Sequence, residues 1–134
     1  MVNMHPDSLE SIVQKTGYLA QLFGTMYTAA YIDEVILEKI EANKNEIRAN
    51  LRLLKFEIKN PSDLKIISEI SKKFNELNNA YGKFRKKYHE KLENNETLPI
   101  TELKKLYRKS EELQDKCIKI FSKLEKEFSR DFIV

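Results

Sequence analysis

From Asp7 onward the apolar residues recur at spacings of three and four, the pattern of helices that each bury one stripe of their surface. Plotted at about 100° per residue, Leu9, Ile12, Leu19, Phe23, Met26 and Ala30 share one stripe. Ile36, Ile40, Ile47, Leu51, Leu54 and Ile58 share a second, displaced from the first by roughly 110°. If a single helix ran through both segments, Glu34, Glu38 and Glu41 would fall on the first apolar stripe. A helix of that length would also extend for about 80 Å, and nothing else in the chain is long enough to cover it. The phase slip therefore predicts a break between Thr28 and Asp33. Asp33 is the expected N-cap of the second helix, with Glu34 in the first turn, where the helix dipole favours a carboxylate. No glycine or proline marks this break.

The second half of the chain has a cleaner pattern. Ile67, Ile70, Phe74, Leu77, Tyr81, Phe84 and Tyr88 alternate spacings of three and four, a heptad seam suited to shallow helix crossing. Leu103, Leu106, Ser110, Leu113, Cys117, Ile120, Leu124 and Phe128 continue the theme in the last helix. Boundaries come from local chemistry. Asp7-Ser8-Leu9-Glu10, preceded by Pro6, has capping-box spacing. Asn60-Pro61-Ser62-Asp63 combines a cap, a proline suited to the first helical position and an acid for the positive helix end. Asn94-Asn95-Glu96-Thr97-Leu98-Pro99 is the last break. The expected helices are 7–30, 33–59, 62–94 and 100–131, in one domain spanning 1–134. Short connections favour an all-α, up-down-up-down four-helix bundle. The alternative is a three-helix hairpin whose first helix is very long and bent. The sequence contains no internal repeat or low-complexity segment.

Composition agrees with this reading. The chain has 134 residues, of which 41% are hydrophobic and 34% charged, with seven Phe and six Tyr to fill a core. Three glycines and three prolines are too few for the reversals of an all-β protein. Cys117 is alone, so no disulfide forms within the chain, and a reducing, cytoplasmic setting is expected. The N-terminus does not resemble a signal peptide. The uncharged stretch from Gly17 to Ile32 is shorter than the ~20 apolar residues of a membrane span and contains Gln21, Thr25 and Thr28.

No motif points to catalysis. Glycine phosphate loops, serine elbows, CxxC pairs and HExxH sequences are missing, as are the Glu-x-x-His pairs of di-iron bundles. His5 and His89 are the only histidines, and His89 lies among lysines on a helix, the setting of a solvated residue. Cys117 with His89 is the one conceivable nucleophile pair, and it has no supporting motif. Glu111-Glu112 and Asp33-Glu34 read as solvated or first-turn charges. No catalytic, cofactor or metal residues are assigned, and the chain is expected not to be an enzyme.

Two features carry functional expectations. The helix from Gly17 to Ile32 is uncharged on every side, and Gly17, Ala20, Gly24 and Thr28 line one narrow edge of it. Two glycines inside a helix each cost roughly 1 kcal/mol against alanine, so a compensating close contact is expected. That contact lies either within the bundle or with another copy or a partner protein. The second feature is a basic stretch holding Lys83, Arg85, Lys86, Lys87, Lys91, Lys104, Lys105, Arg108 and Lys109 against four glutamates, net +5 in a chain of net +3. An antiparallel pairing of the last two helices would gather these at one end, beside Tyr88 and Tyr107, where they could meet phosphates. The acidic start of the second helix, Asp33 to Glu46, would offset them if it lay alongside. The leading expectation is a non-enzymatic interaction module that forms a homodimer or binds a protein. Sequence-independent binding of nucleic acid or another polyanion is the second.

Overall fold

The computed structural model describes residues 7–131, and their side chains except those of Asp7, Glu125 and 127–131. It contains four helices: α1 (Asp7–Ala29), α2 (Glu34–Glu57), α3 (Pro61–Glu93) and α4 (Glu102–Asp131). Each differs from the sequence expectation by at most two residues at either end, the two-residue shifts being the end of α2 at Glu57 rather than 59 and the start of α4 at Glu102 rather than 100. Among the described residues there are no strands, and no helix is long and apolar enough to cross a membrane.

The caps explain the boundaries. The Asp33 side chain accepts from the Val35 N–H at 2.8 Å and opens α2. Asn60 does the same for α3 through the Ser62 N–H at 2.9 Å, with Pro61 at the first helical position. The capping contacts expected of Pro6 and Asp7 lie outside the described residues, and Ser8 instead donates to Glu57 Oε1 across to α2 at 3.0 Å. The unmarked α1–α2 break is a Schellman turn. The Ala30 N–H donates to Tyr27 O at 3.2 Å and the Tyr31 N–H to Met26 O at 3.1 Å. Ala30 takes the left-handed conformation that glycine usually supplies, φ 52°. Ala30 is therefore exposed rather than the last residue of the α1 stripe. The α3–α4 turn repeats the device with Asn95 at φ 54°.

Side-chain contacts fix the up-down-up-down order. Ser8 meets Glu57, and Asn43 donates to Lys15 O at 2.7 Å, so α1 and α2 are antiparallel. Tyr88 Oη donates to Glu34 Oε1 at 2.7 Å, joining the end of α3 to the start of α2. Lys87 meets Glu102 at 2.8 Å, and Lys123 meets Asp63 at 2.7 Å, at opposite ends of the α3–α4 pair. α1 packs most closely on α4, so the four helices close into a ring and the single long first helix is excluded.

The core follows the stripes. All seven α3 seam residues are buried, as are the α4 positions from Leu103 to Leu124; the expected Phe128 lies outside the described side chains. Phe23 meets Tyr81 edge-on across the centre, ring centroids 5.7 Å apart. In α2 the stripe starts at Leu37, fully buried, while Ile36 is only partly so. Buried Asn43 occupies a core position on α2 and is satisfied by its bond to the α1 backbone.

Candidate functional site

The two features singled out in the sequence form two surfaces, and both lie toward the end of the bundle where α1 and α3 finish and α2 and α4 begin. The first is the face of α1 that neither neighbouring helix covers. Within the charge-free stretch, Leu19, Leu22, Phe23 and Met26 point inward and are buried. Tyr18, Gln21, Thr25, Tyr27 and Thr28 are exposed. The small-residue edge runs between these sets, along α4. A Cβ on Gly17 would lie 2.7 Å from Gln114 Nε2, and one on Gly24 would lie 3.0 Å from Tyr107 Cε1. Both glycines therefore have a close contact within the chain. Ala20 is buried on the same edge, whereas Thr28 is exposed.

Because these residues are small, α1 and α4 leave a groove of about 620 Å³ between them. Gly17, Ala20, Gly24 and Thr28 line its α1 wall; Tyr107, Glu111 and Gln114 line its α4 wall. Tyr107 stacks obliquely on Tyr27, centroids 6.0 Å apart. The neighbouring Glu111 carboxylate raises the Tyr107 phenol above its usual pKa. The α4 wall was not legible in the sequence, since nothing local says which helix the glycine edge meets.

The second surface is basic, and the nine residues expected there divide into groups. Lys83 and Lys87 on α3 face Lys105 and Lys109 on α4 across a groove of about 390 Å³. Lys105 and Lys109 also border a cleft of about 410 Å³ with Lys104 and Arg108. Lys91 is occupied locally by Glu96 at 3.0 Å, and Lys86 is exposed. Arg85 turns the other way, toward α2. Its guanidinium bonds the Tyr81 hydroxyl and His89 Nε2, both at 3.2 Å.

That α2–α3 side is polar in an unexpected manner. Lys44 Nζ sits 4.7 Å from the Tyr81 ring centroid, and the Arg48 guanidinium lies over Phe74 at 6.0 Å, so cationic stems cover the aromatic seam. Burial lowers the Lys44 pKa, against the pull of Glu41 at 3.5 Å. Ser71, Asn78 and Arg85 recur every seven residues on this side, and Ser71 Oγ, both Asn78 polar atoms and Arg85 Nε are buried without a hydrogen-bond partner among the described residues. The acidic start of α2 engages mainly its own surroundings: Glu34 takes Tyr88, Glu41 takes Lys44 and Glu46 takes Lys15.

The residues considered for chemistry are dispersed. Cys117 is fully buried, and its thiol is pushed up to about 12 by burial, with the Thr16 hydroxyl pulling the other way. Lys116, beside it, pairs with Glu69 at 3.6 Å, so Cys117 lies level with that part of α3. His89 is exposed some twenty residues further along α3, about 30 Å away at the helical rise. The two do not form a pair. Asp33 is a cap, and Glu112 meets Lys73 at 3.6 Å. Among the described residues no cluster of three His, Cys, Asp or Glu could hold a metal, and His5 lies outside them. No family model, curated protein or solved structure matches the chain.

Proposed function

We propose that this protein is a non-catalytic helical interaction module that self-associates through the outer face of α1. One observation carries the reading: in a chain that is 34% charged, the stretch from Gly17 to Ile32 has no charge, yet its outward side is exposed. A helix without charge on any side is ordinarily covered on every side, and here α2 and α4 cover only part of it. The exposed Gln21, Thr25 and Thr28 line a groove whose α1 wall also holds the small residues Gly17, Ala20 and Gly24, a shape into which another helix can settle closely.

Glu111 is the charged residue of that groove and stands on its α4 wall, so an occupant lying against the α1 wall has to offer an uncharged surface there, since a lysine or glutamate would lose hydration against it. The stretch from Gly17 to Ile32 belongs to the longest uncharged run in the sequence, Thr16 to Ile32. A second copy related by a twofold axis therefore supplies a matching surface, and twofold dimers are the commonest closed assembly. A reducing compartment such as the cytoplasm suits a chain whose single thiol stays free and buried.

Gly24→Leu is a poor probe, because its side chain would first strike Tyr107 of the same chain. Thr25→Lys with Thr28→Lys is better: both positions are exposed, and a twofold contact would bring the new charges of the two copies together. Light scattering coupled to size-exclusion chromatography at tens of micromolar should give a dimer for the native chain and a monomer for the double lysine variant. Lys72→Glu, on the exposed surface of α3, should leave the dimer intact. A native monomer sinks self-association, and a dimer indifferent to the two lysines moves the interface off α1.

A further inference from the structure

We infer that the α3–α4 groove binds a chain of phosphates, a property independent of the α1 contact. The spacing of four between Lys83 and Lys87, and between Lys105 and Lys109, places each pair on one helix face. Antiparallel packing of α3 on α4 turns the two pairs toward one another across a groove of about 390 Å³. Buried Phe84 and Leu106 line it too, so the amino groups stand above an apolar base that holds the two helices in place. Lys105 and Lys109 are shared with the neighbouring cleft containing Lys104 and Arg108. The six cations thus make one continuous band that crosses α4.

The band is not neutralised by the fold. Lys87 pairs with Glu102 at 2.8 Å. The other five have no ion pair or side-chain hydrogen bond among the described residues, although Glu76 and Glu112 also border the two clefts. Six cations against three carboxylates leave a local excess of positive charge. The acidic α2 helix does not reduce it, since Arg85 is the basic residue that turns that way, and Glu34 and Glu41 are engaged by Tyr88 and Lys44.

The shape of the band selects the ligand. Successive lysines on each helix are separated by a rise of about 6 Å, so the positive groups form a row rather than a single pocket. A linear ligand with anionic groups at regular intervals matches a row, whereas a lone phosphate would engage only part of it. Lysine ammonium groups act as point donors to phosphate and impose little geometry. Contact is therefore with the phosphates and indifferent to base sequence. The same chemistry is offered by a single-stranded nucleic acid and by linear inorganic polyphosphate.

The test measures binding of a fluorescent oligothymidylate to the full chain, with unlabelled polyphosphate as competitor. For about four phosphates contacted, affinity should fall about fifty-fold between 50 and 200 mM salt at a log–log slope near −0.7 per contact. Lys83→Glu with Lys105→Glu should abolish binding while circular dichroism shows native helix content. Glu102→Gln should tighten binding several-fold and steepen the salt slope, because it frees Lys87. That gain cannot arise from misfolding. Displacement by polyphosphate supports the shared phosphate chemistry, and binding of the strand without displacement assigns the groove to nucleic acid alone. A polyphosphate that binds when the strand does not, judged by calorimetry, assigns it to polyphosphate. Absence of binding to either ligand at 50 mM salt overturns the inference. So does binding unchanged in the double glutamate variant, or a Glu102→Gln protein that binds no tighter.

Discussion

Gly17, Gly24 and Gly82 all interrupt helices, and their surroundings assign them different roles. A methyl group on Gly82 would meet nothing within 4 Å, so its flexibility brings no packing gain. Gly82→Ala should stabilise the bundle by about 0.5–1 kcal/mol, the helix-propensity difference. At Gly17 the near neighbour is the end of the Gln114 side chain, which can swing aside, and the effect of alanine should be small. At Gly24 the neighbour is the Tyr107 ring, held in turn against Tyr27. Gly24→Ala should therefore cost about 1 kcal/mol through overpacking, despite the better helix former. Urea denaturation of the three variants checks the order, and a Gly24→Ala protein as stable as Gly82→Ala would show that the α1–α4 approach is looser than described. The sequence suggested that glycines on α1 serve a close contact. It could not say that the contact was with α4, because two helices' mutual rotation leaves no local trace.

Helix boundaries were legible wherever a side chain or a proline carries the signal, and Asp33, Asn60 and Pro61 act as their chemistry predicts. The α1–α2 junction was located only by the change of phase between stripes, because its turn uses Ala30 where glycine is the usual choice. A left-handed φ costs a residue bearing a Cβ roughly 1–2 kcal/mol, and the Schellman hydrogen bonds at 3.1 and 3.2 Å hold Ala30 there. Ala30→Gly should accordingly raise stability by about 0.5–1 kcal/mol, after the extra freedom of glycine in the unfolded chain is subtracted. Thermal unfolding with the exposed Ala49→Gly as the control separates the two effects, since glycine within α2 should lower stability by a similar amount. If both changes destabilise, the turn strain is not where the dihedral angle places it.

At the scale of the whole bundle, stability should depend on alkaline pH through three buried groups. Burial raises the Tyr81 phenol to about 12, with Arg85 opposing; burial and the Glu34 carboxylate raise Tyr88 to about 12; and burial raises the Cys117 thiol to about 12. In the unfolded chain these groups lose their protons near 9 to 10, so between there and pH 12 the unfolded state binds fewer protons than the native one. Stability is then full below about pH 9 and lost as pH rises toward 12. Chemical denaturation at pH 7 to 11.5 should show this fall, and Tyr88→Phe should make it shallower. A stability unchanged up to pH 11 would mean that these groups are hydrated in the native state. The same buried row explains why the C-terminal half was so readable. Each heptad position from Ile67 to Tyr88 faces the core, so pattern and burial coincide.

The sequence by itself determined the all-α class and most of the core residues, because amphipathic period and capping are properties of consecutive residues; four helices were its leading expectation over a three-helix hairpin, and the structure decided between them. The sequence also located the charge-free run of α1 and the basic stretch of α3 and α4. Only the tertiary structure decided how each face is used. The ring order placed the glycine edge on α4 rather than leaving it wholly open, and it left Tyr18, Gln21, Thr25 and Thr28 uncovered. Packing of α3 against α4 sorted one run of cations into an open band, a local pair at Lys91 and an inward-turned Arg85. A helix presents all its sides in sequence, but which side meets a neighbour depends on the rotation and order of helices far apart along the chain. That information lies in the summed packing of the core and not in any one segment.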